Sequence, residues 1–163
     1  MNRFHQLVLL GVALASIAGG AFAEGGQEFT DEELDQFDVW TGERITFTKP
    51  DGADPTLEEN QDRVTDSVWI TRGNDGGQIF NIAQRDRYSK QESPVGTLWA
   101  VGTTDDLPDL EFAPFRPAVG SPKEVAGKDL VVFIEEEGIF VDMRFLSWSK
   151  EKGGGFSYER TTP

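Results

Sequence analysis

The stretch Asp129-Leu130-Val131-Val132-Phe133-Ile134-Glu135, followed by Glu136-Glu137-Gly138 and Ile139-Phe140-Val141-Asp142-Met143-Arg144-Phe145-Leu146-Ser147-Trp148, reads as two strands joined by a tight link. Both runs are rich in β-branched and aromatic residues, which suit a pleated surface, and Gly138 offers a positive φ for the turn. Alternation divides the longer strand into two faces. Ile139, Val141, Met143 and Phe145 form an apolar core face, whereas Phe140, Asp142, Arg144, Leu146 and Trp148 form a mixed one. Open to solvent, the mixed face is a binding surface. Covered by a second layer, it leaves Asp142 and Arg144 to pair or to face outward.

Working outward, Ser149–Gly155 ends in three consecutive glycines ahead of Phe156-Ser157-Tyr158, so a second hairpin with a flexible turn is expected. Further strands are expected near Glu43–Lys49, Asp66–Arg72, Gly96–Thr103, Leu110–Phe112 and Gly155–Thr161, and Gln78–Tyr88 fits either a strand or a short helix. Pro108–Pro122 is expected to cross between sheets, because each proline lacks a ladder donor and is excluded from a central strand. The pattern predicts an all-β domain: an antiparallel β-sandwich or jelly-roll-like fold of about seven strands, with at most one short helix.

Met1–Arg3 gives a positive start, Leu7–Ile17 an apolar run and Ala21-Phe22-Ala23 a small-x-small pattern, so residues 1–23 are expected to be a removed signal peptide. Gly19, Gly20 and Glu24 hold the apolar run short of the roughly 20 residues that cross a bilayer. Residues 24–39 are expected to be an acidic flexible leader, with a short helix at Thr30-Asp31-Glu32-Glu33 as the structured alternative, and residues 40–163 a single β domain. Export to the periplasm or the medium follows from the signal.

His5, the sole histidine, falls within that signal, and cysteine is absent. What remains lacks the side chains most used for neutral-pH proton transfer, thiol chemistry and soft-metal ligation. The chain carries a net charge of −14, and loss of Arg3 makes it −15. Such a surface repels phosphate backbones and anionic lipid, so neither a nucleic-acid partner nor membrane insertion is expected.

Trp40, Trp69, Trp99 and Trp148, with Tyr88 and Tyr158, supply flat faces that stack on sugars or anchor protein partners. If Val68 and Ile70, and Leu98 and Ala100, mark the inner face, Trp69 and Trp99 point outward and join Trp148 in one aromatic patch near Arg72 and Arg144. The competing arrangement buries the indoles in the core of a sandwich. Lys49-Pro50-Asp51-Gly52-Ala53-Asp54-Pro55, with Glu58, Glu59 and Asp62 beyond it, is an oxygen-rich loop of the kind that holds Ca²⁺, with Asp51, Asp54 and Asp62 as ligands. Its spacing departs from an EF-hand loop, and a solvated loop explains the same acids. No other cofactor is expected. There is no G-x-S-x-G elbow, phosphate-binding loop or dinucleotide fingerprint, which leaves carboxylates as the main route to catalysis.

Thr48-Lys49-Pro50-Asp51-Gly52-Ala53-Asp54-Pro55-Thr56, Asn60-Gln61-Asp62-Arg63-Val64-Thr65, Val68-Trp69-Ile70-Thr71-Arg72-Gly73 and Gly153-Gly154-Gly155-Phe156-Ser157-Tyr158-Glu159-Arg160 resemble an uncharacterised domain of secreted bacterial proteins. Ile79-Phe80-Asn81-Ile82-Ala83, Gly96-Thr97-Leu98-Trp99-Ala100 and Val141-Asp142-Met143-Arg144-Phe145 fit the same pattern, so the similarity spans about Thr41 to Thr162. The resemblance implies an extracellular module and carries over no functional residue. The resulting expectation is a secreted, non-catalytic binding or structural module at the cell exterior that takes a glycan or a protein. Its ligand-binding candidates are Trp69, Trp148, Arg144, Asp142 and Arg72. The alternative is a carboxylate-dependent polysaccharide hydrolase.

Overall fold

The structure, a computed structural model, describes residues 26–163; the expected signal peptide lies outside the described residues. Nine strands form in chain order: β1 (Asp38–Trp40), β2 (Ile45–Lys49), β3 (Asp62–Arg63), β4 (Trp69–Arg72), β5 (Ile79–Asn81), β6 (Thr97–Val101), β7 (Asp129–Ile134), β8 (Ile139–Trp148) and β9 (Phe156–Arg160). β6 to β9 make an antiparallel meander, and β2 closes its far side against β9. The long β8 pairs on one edge with β7 and divides the other edge, its first half lying parallel to β1 and its second half antiparallel to β9. β3, β4 and β5 form a second, antiparallel sheet. The protein is an all-β sandwich. Its larger sheet sets β6 to β9 side by side in chain order, a meander and not a jelly roll.

The 129–148 hairpin forms as its sequence dictates, with Phe133 opposite Phe140 and Val132 opposite Val141. Strict alternation fails at one place. The register between β8 and β9 shifts between Phe145 and Ser147, so the exposed Leu146 is the extra residue of a bulge. Trp148 is thereby turned from the mixed face to the face of Phe145, where it packs with Phe156 and Phe115.

Both faces of the large sheet are covered. On one side Trp99, Val132, Val141, Met143, Phe145 and Tyr158 meet Val64, Val68, Ile70 and Ile79 of the small sheet's side. On the other, Leu98, Val131, Phe133 and Phe140 meet Phe29, Leu107, Leu110 and Phe112. The segment expected as a flexible leader supplies part of this second layer. Thr30 caps the helix α1 (Asp31–Leu34) in a reciprocal capping box with Glu33, which fixes Phe29 and Phe37 on either side of the turn. Phe29 then makes edge-to-face contacts with Phe37, Phe112, Phe133 and Phe140 at 4.8–5.7 Å between ring centroids.

The proline-rich crossover is folded, and it joins β6 to β7 within the large sheet instead of crossing between sheets. It holds a 3₁₀ turn at Thr104–Asp109 and a second helix, α2 (Phe115–Val119), where at most one helix was expected. Leu110–Phe112 makes no strand, and single bridges join Phe112 to Gln27 and Ala113 to Trp99. Gln78–Tyr88 resolves into β5 followed by turns. No helix among the described residues is long and apolar enough to cross a membrane.

Truncating a buried phenylalanine at the centre of such a cluster removes its transfer free energy and leaves a cavity. Phe29→Ala is expected to lower unfolding stability by about 3–5 kcal/mol in a denaturant titration. A loss under about 1 kcal/mol would show that the segment preceding β1 lies outside the cooperative fold.

Candidate functional site

The two sheets are tied by buried polar groups as well as by their apolar faces. Asp62 of β3 accepts Arg160 Nε at 2.7 Å and Nη2 at 2.9 Å, a bidentate pair, and the Tyr158 hydroxyl at 2.6 Å. All three side chains are buried. Burial and the Asp62 charge push the Tyr158 pKa well above its ordinary 10, so the phenol stays a neutral donor. Lys49, also buried, donates to Asn74 Oδ1 at 2.8 Å and to the Gly154 carbonyl at 3.2 Å. Desolvation, with Arg72 nearby, lowers its pKa.

The three glycines of the β8–β9 turn do not make it loose. A Cβ on Gly154 would collide with Asn74 and with the Gly73 carbonyl, and its φ of +78° disfavours any side chain. A Cβ on Gly153 or Gly155 would strike the Asp51 carboxylate. The triplet is therefore a seam of close approach, and Asp51 latches it by accepting the Ser149 hydroxyl and the Gly155 N–H, the latter at 2.9 Å.

The sequence-derived candidates separate in space by their partners. Trp99 is fully buried, its indole N–H donating to Thr97 at 2.7 Å. Trp69 is half-buried and lies under the Arg63 guanidinium at 4.1 Å, whereas Trp148 lies under that of Arg72 at 4.0 Å. Asp142 accepts the N–H and hydroxyl of Thr104 and so pins the 3₁₀ turn to β8. Arg144 pairs across the strand with Asp129 at 2.8 Å, a half-exposed ion pair of little energetic weight. The single aromatic patch is not assembled. Arg72 and Trp148 alone among the five meet, because the bulge at Leu146 brings Trp148 to the face that Arg72 crosses.

The proposed Ca²⁺ ligands are likewise spent on separate tasks. Asp51 holds the glycine turn, Asp54 caps Thr56 through its N–H and hydroxyl, and Asp62 is saturated by Arg160 and Tyr158. Among the described residues no group of three or more acids or histidines is placed to hold a metal ion.

A cleft of about 550 Å³ lies beside the small sheet. Its wall is Tyr88, half-buried, whose ring sits where a Cβ on Gly77 would be, so that glycine at φ +89° is what admits the phenol. Asp75, Asp86, Arg87 and Lys90 surround it, over a floor that includes the buried Phe80. Tyr88 is among the aromatic faces that the sequence offers for stacking on sugars. The charged residues around it carry no such signal, because each is commonplace in a loop. A smaller cleft of about 200 Å³ holds Glu135, whose carboxyl pKa is raised by desolvation, near an Arg85–Glu92 pair at 2.9 Å.

No protein-family model matches the chain, and no curated protein or solved structure does either.

The two hydrogen bonds to Asp51 hold its pKa below the ordinary 3.8. A depressed acid contributes stability that is present above its unfolded value and is lost as pH falls through the folded one. The Gly155 amide resonance is expected to titrate with a midpoint below 3.8, and Asp51→Asn to abolish that titration. A midpoint at or above 3.8 would contradict the latch.

Proposed function

We propose that the chain is a secreted binding module that takes a glycan in the cleft against Tyr88 and does not cleave it. The observation that carries this reading is the cleft's make-up: an aromatic wall, a volume typical of ligand sites, and exposed side chains of both signs around the rim. Sugars present apolar ring faces edged by hydroxyls that both donate and accept. Tyr88 suits the first, and Asp75, Asp86, Arg87 and Lys90 suit the second. A protein partner is less well served, because interface cores are depleted in charge and this cleft is ringed by it. The expected signal peptide and the absence of cysteine agree with an exported chain folded without disulfides.

Screening the protein on a glycan array and measuring affinity for the best glycan tests the reading. Tyr88→Ala is expected to weaken binding by about tenfold or more, with the fold retained. A folded Tyr88→Ala protein that binds with unchanged affinity would refute the site. Release of reducing ends from the bound polysaccharide, abolished by single Asp or Glu changes, would instead support the hydrolase alternative.

A further inference from the structure

Arg72 is 2% exposed, and among the described residues it meets no carboxylate within ion-pair distance, the Asp51 charge acting on it from farther off. Its guanidinium is held by backbone carbonyls: Nε donates to Gly77 at 3.0 Å, and Nη1 donates to Ser149 at 2.9 Å and Gly155 at 3.0 Å. Carbonyl dipoles orient a cation without neutralising it, and burial lowers the Arg72 pKa to about 10. Nη2 has no hydrogen-bond partner among the described residues, and it is not sealed from solvent either. Arg72 lines a pocket of about 130 Å³ whose other walls include Trp148, Arg116 and Lys123.

Arg116 and Lys123 are exposed and form no ion pair among the described residues. Both come from the crossover, Arg116 on α2 and Lys123 on the 3₁₀ turn Pro122–Glu124, so α2 and that turn carry them to the mouth over Arg72. The sole acid on the rim is Glu151. Three cations thus converge against one anion on a chain whose net charge is −14.

We propose that this pocket is an oxyanion site, in which Arg72 Nη2, Arg116 and Lys123 bind one sulfate or carboxylate group against the Trp148 indole. A guanidinium with an open N–H edge in a desolvated setting is the donor best matched to such a group. Trp148 stacks beneath the guanidinium and fixes its plane. The site shares no lining residue with the Tyr88 cleft and stands independently of the glycan reading.

The test is an NMR titration of the folded protein with sodium sulfate and with sodium acetate at constant ionic strength set by chloride, following the Trp148 indole N–H and the Arg72 side-chain resonances. Saturable shifts are expected, and Arg116→Glu is expected to weaken the affinity about tenfold. Arg116 is exposed and outside the core, so this variant folds even if changes at Arg72 do not. Shifts that never saturate, or an affinity unchanged by Arg116→Glu and by Lys123→Ala, would overturn the site. Comparing a sulfated polysaccharide with its desulfated form assigns the source of the group. Tighter binding of the sulfated chain than of free sulfate places it on a glycan, and equal affinity per sulfate places it on the free ion; either upholds the site.

Discussion

A carboxylate closed between two sheets sets the terms for the rest of this molecule. Asp62 leaves β3 and enters the core, where a bidentate arginine and a tyrosine hydroxyl, both from β9, receive it. An ionised group taken out of water is tolerated only when partners replace its hydration, and here at least three hydrogen bonds do so. Apolar contact between the sheets is permissive about how one slides over the other. The Arg160 fork is not, since it admits the carboxylate in one plane and at one spacing.

The docking it fixes places the loops of the small sheet against the β8–β9 turn. Lys49, Asn74 and Gly154 interlock there, and the glycine seam lets backbone approach backbone. Arg72 reaches out of β4 to the same turn. The Tyr88 cleft and the cationic pocket both open where these loops meet, so both depend on the position of β3, β4 and β5. On the other face of the large sheet five phenylalanines pack together, and Asp142 holds the 3₁₀ turn against β8.

What was legible in the sequence was what local pattern controls. The 129–148 hairpin and the β-rich punctuation follow from alternation and turn chemistry, each decided within a few residues, whereas the short helix after Thr30, held by its capping box, was only the alternative to a flexible leader. The side of β8 on which Trp148 stands was not legible, because a bulge at Leu146 is set by pairing with β9 and leaves no mark in β8 itself. Phe29 looked solvated because its neighbours are acidic; a single aromatic residue finds its cluster through partners about a hundred residues away. Asp62 looked like one more loop acid. Its partners Tyr158 and Arg160 lie at the other end of the chain, and no spacing rule links them. The glycine triplet pointed to a flexible turn, but close packing calls for glycine as well, and the proximity of Asp51 and Asn74 shows that close packing is its task.

The most direct measurement is the unfolding free energy of Asp62→Ala together with native-state hydrogen exchange in both proteins. Removing the carboxylate strands a buried guanidinium, so stability is expected to fall by about 3–5 kcal/mol, with amides of β3 to β5 losing protection ahead of those in β6 to β9. A loss below about 1 kcal/mol, with protection in the small sheet unchanged, would show that apolar packing alone positions the sheets and that the Asp62 cluster is incidental.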